Sequence, residues 1–191
     1  KKTKQEDAKD KSQGGLGEWL TTIVWALAIA FVMRTFFFQP FHIPSGSMEP
    51  NLVIGDYLIT SKYSVGYGKY AADPLPFPIS KGRLFERELK RGDIILFKPE
   101  DNDKTFIKRL IGLPGDTVQM RGGVLHINGT SVDLKIIGQE ERVHVSGATE
   151  TAEVWSETLP GGHTHEIYDV EKNNSADDTA VFNIPEGRYF L

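Results

Sequence analysis

Polar and apolar positions divide this chain into two regimes. Residues 1–11 are polar and carry Lys1, Lys2, Lys4, Lys9 and Lys11; after Leu16-Gly17-Glu18 comes an uncharged, mostly apolar run over residues 19–33. Arg34 interrupts it, and Thr35-Phe36-Phe37-Phe38 follows. A helix that spans a bilayer needs about 20 apolar residues. The run reaches that length with residues 35–38, provided Arg34 lies at an interface and snorkels. Trp19, Trp25 and the phenylalanine cluster suit anchoring at the two interfaces. The pattern predicts a basic tail over residues 1–15, a membrane anchor over residues 16–38 and an exported domain over residues 39–191, with the lysine-rich flank cytoplasmic. A cleaved signal peptide is disfavoured, because the small-x-small pattern between Ala26 and Ala30 lies inside the apolar run rather than after it. A buried core helix is the remaining alternative.

From Gln39 onward no long 3.6-residue periodicity is found. Residues 52–62 read as strand, Gly-Asp turn, strand. Arg91-Gly92-Asp93 leads into a short apolar strand, Ile94-Ile95-Leu96-Phe97, ended by Lys98-Pro99. Residues 105–111 form another, ended by Gly112-Leu113-Pro114-Gly115-Asp116. Residues 117–120 and 124–127, with Arg121-Gly122-Gly123 between them, make a hairpin, and Asn128-Gly129 a further turn. Short strands punctuated by Gly, Pro and Asp indicate an all-β domain of sandwich or open-barrel type. Residues 63–90 break this rhythm as an insertion, with Tyr67, Tyr70, Phe77 and Phe85 among glycines and prolines. It is either a solvated loop or one that leans on the bilayer surface. Residues 131–178 are polar and weakly patterned, and are expected to be peripheral strands and loops. Residues 181–191 read as a turn entering a new apolar strand, which suggests a chain continuing past Leu191.

Composition narrows the chemistry. The 191 residues suit one domain plus an appendage, and a net charge of -4 gives no reason to expect a nucleic-acid partner. The absence of cysteine excludes disulfides, a thiol nucleophile and cysteine-ligated zinc.

Two segments then stand out. In Pro44-Ser45-Gly46-Ser47-Met48-Glu49-Pro50 the prolines fix the backbone and the glycine allows a tight bend, so a hydroxyl can be held in an exposed pose. Ser47 is the candidate nucleophile, although a Ser-Gly-Ser alone is common in loops. Lys108 lies in an apolar strand among Phe106, Ile107, Leu110 and Ile111, where a lysine can lose its proton and serve as base. Alternation sends Lys108 and Arg109 to opposite faces, so one of them is expected to face outward. Only the lysine can act as a base. Ser45 could place its hydroxyl beside the Ser47 N–H as an oxyanion hole, or could satisfy the local turn. His42 is too close to Ser47 along a proline-containing segment to face it. His163-Thr164-His165, with Glu166 and Asp169 nearby, is a weaker metal-binding candidate. No cofactor is expected.

The segment from Phe41 to Leu52, with Gly55-Asp56-Tyr57, closely resembles the serine box of bacterial type I signal peptidases. Arg91-Gly92-Asp93-Ile94-Ile95-Leu96-Phe97 is similar to the family's next block, and residues 107–116 resemble its lysine box. All three occur in the family's order, after a membrane anchor, and the resemblance covers residues 34–129 and 184–191. It implies a largely antiparallel β domain with one N-terminal transmembrane helix. Ser47 would be the acylating nucleophile, Lys108 the general base, and Ser45 with the Ser47 amide the oxyanion hole. Shallow pockets for small P1 and P3 side chains would be lined by Phe41, Ile43, Met48, Leu52, Leu58, Leu96, Phe106 and Ile107. The implied partners are signal peptides of exported preproteins, membrane lipid and the translocation machinery. The implied location is the bacterial inner membrane, single-pass, with the catalytic domain on the outer, periplasmic face. Two departures stand out: the family's last box, a Gly-Asp-Asn-Arg-Asp-Asn-Ser type segment expected just past Leu191, and a second membrane segment found in many members. Two other readings remain, a self-cleaving repressor-type Ser-Lys peptidase and a non-catalytic anchored scaffold that binds exported chains.

Overall fold

The computed structural model describes residues 15–68, 71, 82–99, 104–143, 149–169 and 175–191. The lysine-rich tail and most of the centre of the 63–90 insertion therefore lie outside the described residues. The chain forms two compact units, Lys1–Phe41 with Ile59–Arg87, and His42–Leu58 with Glu88–Leu191.

In the first unit, helix α1 (Leu16–Val32) runs into a π-helical turn, Met33–Phe37. Together they make a 22-residue apolar helix, Leu16–Phe37, long enough to cross a membrane. None of the α1 side chains is buried. A helix that exposes apolar side chains all round suits lipid rather than water. The two hydroxyls of α1 are satisfied internally, Thr21 donating to Gly17 O at 2.8 Å and Thr22 to Glu18 O at 2.9 Å, which suits a low-dielectric surrounding. Where the helix ends, Lys62 Nζ donates to Thr35 O at 3.2 Å and Tyr67 Oη to Phe36 O at 2.9 Å. Strands β1 (Phe38–His42) and β2 (Tyr57–Ser61) then pair. In the insertion, an antiparallel bridge joins Tyr67 to Leu84.

The second unit is built of antiparallel sheets. Strands β3 (Ile94–Phe97) and β4 (Phe106–Arg109) form one. Strands β5 (Thr117–Arg121), β6 (Val124–Ile127), β7 (Thr130–Ser131) and β11 (Phe182–Asn183) form a second, in the order β11-β5-β6-β7. The β5–β6 hairpin turns on Gly122 and Gly123, both at positive φ (54° and 76°), the backbone twist that a two-residue hairpin demands. The core packs on this sheet: Val118, Leu125, Ile127, Val132, Leu159 and Ile184 are buried together. Phe190 closes it, exchanging hydrogen bonds with Gly112.

Two expectations need correction. Residues 52–56 are turn rather than strand, and only Tyr57–Ser61 is extended. The apolar Leu52-Val53-Ile54 mimics a strand, but the Asp56 carboxylate accepts the Val53 N–H at 3.0 Å and bends the chain. Residues 131–178, expected as peripheral strands and loops, do form strands, but Val132 and Leu159 join the core. They carry the longest strands described, β8 (Asp133–Val143) and β9 (Thr149–Thr158), with β10 (Thr164–Asp169) in the order β10-β9-β8.

Candidate active site

The serine-bearing turn is fixed at both ends by apolar anchors. Ile43 is 2% exposed and Met48 7%, whereas Ser45 and Ser47 between them face solvent. Ile43 donates to Asp56 O and accepts from Gly55 N, both at 2.9 Å, so the chain returns alongside itself. Within the turn, Glu49 N donates to Gly46 O at 3.1 Å and Leu52 N to Met48 O at 3.0 Å. At Gly46 the space beside the backbone is taken by the end of the Glu49 side chain. A Cβ there would meet the Glu49 carboxylate, 2.8 Å from its carbon and from Oε1 and 2.9 Å from Oε2. His42 is exposed with its ring centroid 6.5 Å from that of Tyr57.

Lys108 sits on β4 directly opposite Ile95, and Phe106 opposite Phe97 with the rings stacked at 5.9 Å. In a two-residue repeat these four share one face. Leu96 and Ile107 pair on the other face. The Lys108 side chain is half-buried, and among the described residues neither it nor Ser47 has a hydrogen-bond or ion-pair partner. Of the pocket candidates, Leu52, Leu58, Leu96, Phe106 and Ile107 are half-buried, Ile43 and Met48 are buried, and Phe41 belongs to the first unit.

The ladder that carries Lys108 is tied down at its end. Gly92 N donates to Leu110 O and Leu110 N to Asp93 O, both at 2.8 Å, and Lys90 N caps on the Asp93 carboxylate at 2.8 Å. Arg91 joins Asp116 at 2.8 Å and also donates to Ile111 O. Asp116 additionally accepts Leu113 N at 2.7 Å and Asn128 Nδ2 at 2.8 Å. Burial alone would raise the Asp116 carboxyl, but these hydrogen bonds and the Arg91 charge outweigh it and hold its pKa below the usual carboxylate range.

Arg109 overturns the expectation that one of the adjacent cations faces outward. It is only 9% exposed, more buried than Lys108. Its guanidinium donates to Gly92 O at 3.0 Å and lies 2.9 Å from His163 Nε2. A guanidinium has only donors, so His163 is neutral and accepts through Nε2. Burial lowers the Arg109 pKa and Glu157 opposes it, while burial, then Arg109 and His165, lowers that of His163. His165 Nε2 lies 3.3 Å from Glu157 Oε2. His163 is exposed and His165 buried, their partners are Arg109 and Glu157, and among the described residues no group of three His, Asp or Glu side chains is arranged to hold a metal. Glu166 offers its main-chain carbonyl to Asn51, and Asp169 lies across from Glu153 in the sheet. Glu157, Glu49 and Arg142 were not singled out from the sequence, and Arg109 was weighed only for the face it takes, since each finds its partner only through the fold.

Comparison with known proteins places this geometry in context. The family model described as signal peptidase, peptidase S26, matches residues 16–191. Signal peptidase I of Rickettsia massiliae (strain Mtu5) is 40% identical over 182 residues, covering 91% of this chain and 66% of the relative. That of Rickettsia canadensis (strain McKiel) is 35% identical over 195 residues, covering 98% of this chain and 72% of the relative. The chain thus spans about two thirds of the length of the curated relatives it matches.

Proposed function

The chain belongs to the signal peptidase family, peptidase S26, and from that premise we propose that it is a membrane-anchored serine endopeptidase that removes signal peptides from exported preproteins. The observation that carries the reading is the pair of prepared groups within one unit. Ser47 is an exposed hydroxyl on a turn held by buried Ile43 and Met48, and Lys108 is a half-buried amine without a counter-ion among the described residues, on a face shared with Ile95, Phe97 and Phe106.

In the proposed reaction the Lys108 amine takes the Ser47 proton as Oγ attacks the scissile carbonyl. The Ser45 hydroxyl and the Ser47 N–H donate to the oxyanion of the tetrahedral intermediate. Lys108 then gives its proton to the departing amine of the mature chain, leaving an acyl-enzyme on Ser47. Water, deprotonated by the same lysine, hydrolyses that ester and frees the signal peptide. Ile43, Met48, Leu52, Leu58, Leu96, Phe106 and Ile107 are the residues proposed to line shallow P1 and P3 pockets, which reject large side chains by overpacking. The helix Leu16–Phe37 is proposed to span the bacterial inner membrane once, with the N-terminus cytoplasmic and the catalytic unit outside. There the enzyme meets preproteins delivered by the translocation machinery.

The test is cleavage of a preprotein by the full chain in detergent, read by mass spectrometry of the new N-terminus. A single cut after a small-x-small sequence, abolished by a bulky residue at P1, is expected. Cutting without regard to the P1 side chain contradicts the reading.

A further inference from the structure

The serine turn is held from outside by a charge that the proposed chemistry does not use. Glu49, two residues after Ser47, is only 9% exposed at its side chain, and its Oε2 lies 2.8 Å from Nη2 of Arg142 on β8. The pair is separated by 93 residues in sequence. The same guanidinium reaches Glu150 Oε1 at 3.3 Å across the β8–β9 ladder, and its Cζ lies 5.4 Å from the centre of the Tyr168 ring. Tyr168 is itself fixed by donating to Glu140 at 2.8 Å. Arg142 is therefore held on two sides, by Glu150 and the Tyr168 ring, before it meets the turn. Glu49 in turn is folded back so that its carboxylate fills the space beside Gly46, between the two serines. A second tie runs the same way: Asn51 Nδ2 donates to Glu166 O on β10 at 2.6 Å.

Replacing a buried ion pair by apolar residues is often no loss of stability, so such a pair is weak evidence of a stabilising role. Its yield here is geometric. One guanidinium nitrogen fixes a carboxylate that is packed against the backbone of the nucleophile's own turn. Displacement of a reacting group by about 1 Å can cost about 10²-fold in rate. Without Arg142, the Glu49 carboxylate would lose the cation that holds it.

We propose that Arg142 is a positioning residue that fixes the Ser47 turn through Glu49. The inference rests on the reading of Ser47 as nucleophile, deepens it, and gives Arg142 no contact with substrate.

The experiment measures kcat and KM for preprotein cleavage by the full-length enzyme, together with its thermal midpoint. The variants are Arg142→Ala, Arg142→Lys, Glu49→Gln and the Arg142→Ala/Glu49→Gln pair. The expected result is a fall in kcat of about 10²-fold for Arg142→Ala, with KM held within about threefold. Glu49→Gln falls in the same direction, the double variant is no worse than Arg142→Ala because the residues act as one unit, and Arg142→Lys recovers part of the loss. Should Arg142→Ala not fold, the split between kcat and KM in Arg142→Lys and Glu49→Gln decides. Wild-type kcat in Arg142→Ala overturns the inference and leaves the nucleophile reading standing. So does a loss of activity that follows the unfolded fraction alone. A wild-type enzyme that cleaves no better than Ser47→Ala overturns the nucleophile reading, and the inference falls with it.

Discussion

Arg91 and Asp116 lie 25 residues apart in sequence and 2.8 Å apart in space, with side chains 11% and 12% exposed. The pair ties the approach to β3 to the turn that follows β4, the two strands of the ladder bearing Lys108. Removing one partner of such a buried pair leaves an uncompensated charge, and Asp116→Ala also strips an acceptor from Leu113 N and Asn128. The expected cost is about 3 kcal/mol. The folded-state pKa of Asp116 is depressed. Its contribution is therefore complete above the unfolded value near 3.9 and is lost as pH falls through the lower folded value. Thermal midpoints of the wild type and Asp116→Asn should differ at neutral pH and converge below about pH 4. A difference that does not change with pH contradicts the assignment.

Gly92 has φ +93°, and a Cβ there would stand 2.3 Å from the His163 ring. A non-glycine residue in this left-handed region costs about 1–3 kcal/mol before any clash. Gly92→Ala should lower the thermal midpoint and weaken the Arg109–His163 contact. A variant as stable as the wild type would show that the strand end tolerates a shifted His163.

His163 titrates in the opposite sense to a histidine gaining an acidic partner. Burial, Arg109 and His165 lower its pKa, against a smaller pull from Asp93. The unfolded chain therefore takes up the proton first, and stability present above about pH 6.5 declines as pH falls below that value. His163→Gln keeps an acceptor for Arg109 and does not titrate. Its stability should decline less between about pH 6.5 and 5 than that of the wild type. Equal slopes in that window would remove His163 from the account.

What could be read from the sequence follows from where partners lie along the chain. Strands β3 to β6 are short apolar stretches bounded by Gly, Pro and Asp, so pattern alone locates them. The β8–β10 sheet hides because its cross-strand partners include Arg142 with Glu150, Gln139 with Glu153 and Lys135 with Ser156. Charged and polar pairs leave no apolar period to detect. At the site, Ser47 and Lys108 stand out through local motifs. Arg142 does not, because its partner lies 93 residues away, and His163 stands out only as a metal-binding candidate, because Arg109 lies 54 residues away. Arg109 is misjudged for a physical reason: alternation assigns faces but cannot say that both faces of a strand are covered.

The anchor makes a separate prediction. In the proposed topology residues 1–11 are cytoplasmic and Leu16–Phe37, which is long and apolar enough to cross a membrane, spans the bilayer, which puts the unit with Ser47 and Lys108 on the far side. In sealed inverted vesicles that unit should resist added protease until detergent opens the membrane. Its digestion in intact vesicles contradicts the orientation.

The central claim is that Ser47 and Lys108 act as one nucleophile–base unit. The most direct measurement compares preprotein cleavage by full-length Ser47→Ala, Lys108→Ala and the double variant, with folding checked by thermal midpoint. Each single change should lower kcat by at least about 10³-fold, and the double variant should lose no more than either alone. Substantial turnover by a folded Lys108→Ala enzyme, or losses that multiply in the double variant, would contradict the account.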